Sequence, residues 1–252
     1  MFPADEASLT AFILVLARLA GLALVVPFMG HRSIPVMVRA AVVMVLALAL
    51  TPLVAVPAEA RVLDLAFALR VAFEVLVGLF LGYLFLAVFM AVTMAGQFID
   101  FELGFGLAQV FDPSFGNNST VLSRFYYLLA MVVFLTCRGH HLIVLALAGS
   151  YRVFPAGSLT FPSLVSPPAL RALSDVFLLA LKVGAPVIGA LFVADVVFGI
   201  VARAVPQMNV FVIGFPLKIL LGLLAVAVTL PFTVAFMRDL VAGLENLLAR
   251  AF

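Results

Sequence analysis

The chain has 252 residues, of which 66% are hydrophobic and 10% charged, with a net charge of +2. An average globular domain is about half apolar and about a quarter charged, so a water-soluble fold of this size is excluded and most of the surface faces lipid or protein. The nearly balanced charge, with no basic run, gives nucleic acid no electrostatic footing. The single cysteine, Cys137, excludes an internal disulfide and a thiol-rich metal centre.

Six hydrophobic stretches follow one another, each near or above the roughly 20 residues that cross a bilayer as a helix. They run Leu9–Met29, Val36–Val56, Leu65–Phe98, Phe125–Ala148, Val176–Val201 and Val210–Phe236. The first reads as a retained segment. Asp5 and Glu6 precede it and Arg18 lies inside it, unlike a cleaved signal peptide with its basic start. Proline and polar clusters punctuate the rest, and no polar linker divides the chain, so residues 1–252 read as one all-α membrane domain.

The third stretch holds Gly78 and Gly82 in a GxxxG pattern, continued by Ala87, Ala91 and Ala95. Small residues at this spacing let two membrane helices approach closely, within a chain or between subunits. Arg70 and Glu74 lie one turn apart on the same helix and can pair.

The connection that follows, Asp100–Arg124, is too apolar for a solvated loop and too broken for a helix. Between Leu103 and Ser119 it carries Gly104, Gly106 and Gly116 to bend it and Pro113, after Asp112, to prevent regular helix. Phe105, Leu107, Val110, Phe111 and Phe115 would be poorly placed in open water. Irregular backbone at membrane depth survives only where protein buries it or water reaches it. Bulky apolar side chains on a helix-anchored loop suit a plug, since hydrophobic constrictions stop ions by excluding water; the plain alternative is a packed connector. Ser119 or Asn118 can cap the helix expected to begin near Val121.

Cys137, His140 and His141 fall short of the four ligands a structural zinc site needs. They read as a turn between apolar stretches. Charges at Arg18, Arg39, Glu74, Lys182, Asp195 and Lys218 lie inside the hydrophobic segments. Each costs about 2.5–3.5 kcal/mol at bilayer depth on insertion scales, so these helices are expected to pack against protein or water. Glu74 and Asp195 also admit a different class of function, a proton-coupled secondary transporter. No catalytic cluster and no cofactor motif stands out. Near the end, Pro206 and Pro216 each remove a backbone donor, and Gly214 allows close approach; a fixed break is expected across Arg203–Lys218.

That last stretch, Arg203-Ala-Val-Pro206-Gln207-Met-Asn-Val-Phe211-Val-Ile-Gly214-Phe-Pro216-Leu-Lys218, resembles the signature of the flagellar FliR family. Arg32-Ser-Ile-Pro35 with Arg39, Gly104-Phe-Gly106 through Phe111-Asp112-Pro113, and Gly139-His140-His141 with Ser150 and Pro155 agree in order. The resemblance implies kinked helical hairpins in the export gate of a type III secretion system, without enzymatic activity or a cofactor. It also implies FliP-like and FliQ-like partner subunits, a docked FlhB-like protein, unfolded flagellar export substrates and surrounding membrane lipid. Expected further are a place in the bacterial inner membrane at the flagellar basal body, and the 103–119 loop lying inside the closed channel. Gly78, Gly82, Asp195, Pro206, Gln207, Gly214, Pro216 and Lys218 are the expected packing and assembly positions. The injectisome equivalent is a close cousin and shares the Pro-Gln and Asn-Val-Phe residues.

Overall fold

The computed structural model describes residues 6–27, 29–30, 34–57, 64–105, 120–159, 175–205 and 210–251. Among these are seven α-helices and no strand: α1 (Glu6–Val25), α2 (Val36–Leu50), α3 (Leu65–Glu102), α4 (Val121–Thr136), α5 (Gly139–Val153), α6 (Val176–Ala204) and α7 (Val210–Ala251). A short 3-10 turn, Thr51–Leu53, ends the second apolar stretch at Pro52. Five helices are long and apolar enough to cross a membrane, and α4 with α5 supplies a sixth if counted as one broken span.

The fourth hydrophobic stretch is therefore two helices, not one. They part at Cys137–Arg138, where Arg138 takes a left-handed φ of 57°. The expected turn around Cys137 is present, but it interrupts the span that hydropathy alone runs through. Within the break expected across Arg203–Lys218, Pro216 itself does not interrupt the helix: α7 continues through Pro216 and Pro231 just as α6 continues through Pro186. Proline is tolerated inside membrane helices where neighbouring groups take up the freed backbone polar atoms. The interruption falls earlier, between Ala204 and Val210; Pro206 and Gln207 lie outside the described residues.

The chain divides into two compact units, and α3 and α7 contribute to both. The first contains α1, α2, the start of α3 and α5. Its core is built on small residues. A Cβ on Gly78 would run into the Arg18 carbonyl, and one on Gly21 into the Val75 carbonyl, so the backbones of α1 and α3 touch here. At Gly82 a Cβ would stand 3.0 Å from the Leu22 carbonyl. The GxxxG stripe thus meets a helix of its own chain. Leu14, Val15, Leu22, Val77 and Leu81 of these two helices are buried, and Asp64 caps α3 by accepting the Phe67 N–H at 2.8 Å.

The close approach also decides where the charges go. Arg18 and Glu74 are both fully buried, and Arg18 Nε donates to Glu74 Oε2 at 2.6 Å. The guanidinium donates further to Ser150 Oγ at 2.8 Å and to the Phe154 carbonyl at 2.9 Å, and its carbon lies 4.0 Å over the Tyr151 ring. The other Glu74 oxygen accepts the Gly157 N–H at 2.8 Å. The pairing of Glu74 with Arg70 expected from helical spacing does not form; Arg70 Nη1 is buried without a hydrogen-bond partner.

The second unit contains the end of α3, α4, α6 and most of α7. Helix α6 buries one stripe, Ala180, Val183, Gly184, Val187, Leu191 and Ala194, at helical spacing. Helix α7 likewise buries Gly222, Val226, Thr233, Met237 and Val241. Most other apolar side chains of both helices are exposed, Phe192, Ile200, Val212 and Val228 among them. Phe89 packs edge-on to Phe134 with ring centroids 5.3 Å apart, joining α3 to α4.

Candidate functional site at the base of the 103–119 connection

Of the expected plug residues, Gly104 and Phe105 are described; Gly106, Leu107, Val110, Phe111, Asp112, Pro113 and Phe115 lie outside the described residues. What the structure places is the base from which this connection leaves and to which it returns.

Helix α3 stops in a paired set of backbone bonds. The Phe105 N–H reaches the Asp100 carbonyl and the Gly104 N–H reaches the Phe101 carbonyl, each at 3.0 Å. This is a Schellman closure, which requires a left-handed residue, and Gly104 supplies it with φ 79°. A Cβ on Gly104 would stand 2.5 Å from the Phe215 ring of α7. The left-handed backbone is therefore not the only reason for glycine here; the aromatic ring leaves no room for a side chain.

On the return side, Thr120 precedes α4 but makes no capping bond with its own side chain. The cap comes from Asp100 instead. This carboxylate is fully buried. It accepts the Leu122 N–H at 3.1 Å, the Ser123 N–H at 2.9 Å and a short hydrogen bond from the Thr120 hydroxyl. The expected caps, Ser119 and Asn118, lie outside the described residues. Beside the cap, Gly96 lets α4 come close, because a Cβ there would stand 2.6 Å from Ser123 Cα.

Two further contacts hold the base to α6 and α7. Leu103 is fully buried, and its side chain fills the space a Cβ on Gly222 would occupy, next to Leu191. Lys218 Nζ donates to Asp195 Oδ2 at 2.7 Å and lies 3.8 Å from Glu102 Oε2, one residue before Leu103. Among the expected assembly positions, the structure thus brings Asp195 and Lys218 together in one chain. Gly214 is buried and Pro216 exposed. Lys182 is exposed on α6 and forms no ion pair among the described residues.

Asp100 was not singled out by sequence reasoning. Its signal was present: a carboxylate at the end of an apolar helix, twenty residues before the threonine that opens the next.

The geometry offers little to a transported solute. Both Glu74 oxygens are held, by Arg18 and Gly157, and Asp195 is held by Lys218. The first unit has a cavity of about 190 Å³, lined by apolar side chains such as Leu19, Val43, Leu46 and Leu147, with His140 the sole titratable one. A site for a polar ligand needs convergent polar groups, and this lining lacks them. Among the described residues no group of three or more His, Cys, Asp or Glu could hold a metal.

The model of the bacterial export proteins, family 1, matches residues 9–244. The chain belongs to that family. The FliR flagellar biosynthetic protein of Bacillus subtilis is 32% identical over 95% of this chain and 95% of its own length. The Escherichia coli FliR protein is 32% identical over 93% of this chain and 89% of its own. The surface presentation of antigens protein SpaR of Salmonella typhimurium is 30% identical over 91% and 88%. The match covers the base residues of both connection ends as well as the Arg18–Glu74 seam. An export family member with five or six apolar spans is a membrane-embedded export component, which accords with the exposed apolar faces of α6 and α7.

Proposed function

We propose that this chain is the FliR-type structural subunit of a flagellar type III export gate in the bacterial inner membrane, at the base of the flagellum. It assembles with FliP-like and FliQ-like subunits and an FlhB-like protein, catalyses no bond change, and helps to form the channel for unfolded flagellar substrates. The observation that carries this reading is similarity to FliR proteins over nearly the whole chain. The apolar faces of α6 and α7 fit burial against neighbouring subunits, since such patches mark interaction or membrane surfaces. Gly78, Gly82, Pro206, Gln207, Gly214 and Pro216 would shape the subunit for that assembly. The transporter alternative is not favoured, because Glu74 and Asp195 are already engaged by cations of the same chain.

We further propose that the 103–119 connection closes the resting channel. Its support is the run of bulky apolar residues in the sequence and the firm base, where Asp100, Leu103, Gly104 and Lys218 tie both ends into the second unit. Two experiments test the reading. Expression in a flagellated strain lacking its own FliR protein is expected to restore swimming; rescue of an injectisome lacking its SpaR-type subunit, with no rescue of swimming, would reassign the chain to that branch. Deleting Phe105–Phe115 is expected to leave the gate assembled but leaky to ions. An assembled gate that stays tight would return the segment to a connector.

A further inference from the structure

We propose that the first unit holds an anionic phospholipid, with one acyl chain in its apolar cavity and the phosphate at Arg39 and His140. The inference concerns a lipid site and does not depend on the export reading.

Three helices share the cavity. Leu19 and Leu22 of α1, Val43 and Leu46 of α2, and Val144 and Leu147 of α5 line it. An apolar cavity of about 150 Å³ stays dry and takes a small apolar guest. This one is larger, about 190 Å³, and is not fully enclosed. For a membrane-embedded chain the apolar guest at hand is a lipid acyl chain.

One end of the cavity is basic. Arg18 of α1 donates to Ser150 and to the Phe154 carbonyl, whereas Met29, past the end of α1, shares the cavity with His140. Helix α5 therefore runs antiparallel to α1. Helix α2 does so too, since Val56, which follows it, clusters with Ala11 and Leu14 near the start of α1. Both α2 and α5 thus begin where α1 finishes. Their first turns carry Arg39 in α2, and His140 and His141 in α5, with no acid and no side-chain cap. A helix start is a positive end and disfavours cations. An anion placed between the two starts offsets both the helix ends and the basic side chains.

Arg39 gives an independent sign of a missing partner. It lies one turn before Val43 on the same face of α2. Its Nε is buried without a hydrogen-bond partner, and it joins no ion pair among the described residues. Arg18, in the same unit, is met by Glu74, Ser150 and Phe154. An unmet buried donor is costly, more so on a charged group, and the guanidinium fork matches a phosphate. His140 lines the cavity and is exposed, so it stands at the mouth. With no carboxylate in either first turn to meet a choline cation, a head of net negative charge fits better than a zwitterionic one.

The test uses the full chain in mild detergent, titrated with phosphatidylglycerol or phosphatidylcholine of identical acyl chains and read by native mass spectrometry. Phosphatidylglycerol is expected to bind about tenfold more tightly, the effect of one charge-assisted hydrogen bond. Arg39→Gln is expected to abolish that preference and Arg39→Lys to retain most of it. Val144→Phe fills the cavity and keeps both basic groups, and is expected to weaken both lipids about tenfold or more. Glycerol 3-phosphate, a phosphate head without chains, is expected not to displace the lipid. His140→Gln is expected to reduce the preference and serves if Arg39→Gln does not fold. Equal binding of the two lipids by the unaltered chain, or an undiminished preference in the folded variant, would overturn the anionic head. Unchanged binding in Val144→Phe would remove the acyl chain from the cavity. Displacement by glycerol 3-phosphate would replace the lipid with a soluble anion.

Discussion

Arg18→Met should be among the most damaging single substitutions in the first unit. Arg18 and Glu74 are both fully buried. The substitution keeps most of the side-chain volume but strands the Glu74 carboxylate, which retains only the Gly157 N–H. It also removes the donors to Ser150 and to the Phe154 carbonyl. Removing one member of a buried pair costs about 3–5 kcal/mol. For a chain of this length each kcal/mol corresponds to about 2–4 °C in Tm, so the expected loss is roughly 6–20 °C. Glu74→Leu should behave alike, by stranding the guanidinium. The double variant should cost clearly less than the sum, because no charge is then left buried without a partner. The assay is thermal unfolding in mild detergent, followed with a thiol-reactive dye. Cys137, partly buried and the sole cysteine, is the reporter. Singles that shift Tm by less than about 2 °C, or singles whose effects simply add, would refute the reasoning and mean that water reaches the pair.

Two further substitutions probe the helix seams and the break in the fourth stretch. Gly78→Leu should separate α1 from α3, since even a Cβ there collides with the Arg18 carbonyl; overpacking typically costs about 1–3 kcal/mol or more, and unaltered unfolding in the same dye assay would show that the seam yields freely. Arg138→Gly should raise stability by up to about 1 kcal/mol, because Arg138 holds a φ of 57° that a Cβ disfavours and glycine does not; a lowered Tm would mean that the arginine side chain contributes more than its strain removes.

Much of the fold was legible because hydropathy alone marks membrane-length helices. Five of the six expected spans correspond to candidate crossing segments among the helices found. The fourth misled because Cys137 and Arg138 are two residues within a long apolar run, and a window average passes over them. The pairing of Glu74 was misread for a different reason. Helical spacing favours Arg70, but Gly21 and Gly78 bring α1 into backbone contact with α3 and set Arg18 beside Glu74. Contact between residues 56 positions apart carries no local pattern. Pro216 shows the same limit from the other side, since a local breaker was overridden within a long helix. At the candidate site, Asp195 and Lys218 stand out individually as charges inside apolar stretches, but Asp195 is exposed rather than buried, and their mutual contact and the part of Asp100 depend on tertiary register.

The tie at Asp100 bears on how such a segment can evolve. With Phe105 and Thr120 held to one residue, the spacing between α3 and α4 no longer depends on how much chain lies between them. Lengthening a closed loop is thermodynamically mild, about 0.6 kcal/mol for each doubling. Residues can therefore be added, lost or exchanged between these two points while the helix ends that Asp100 joins stay where they are.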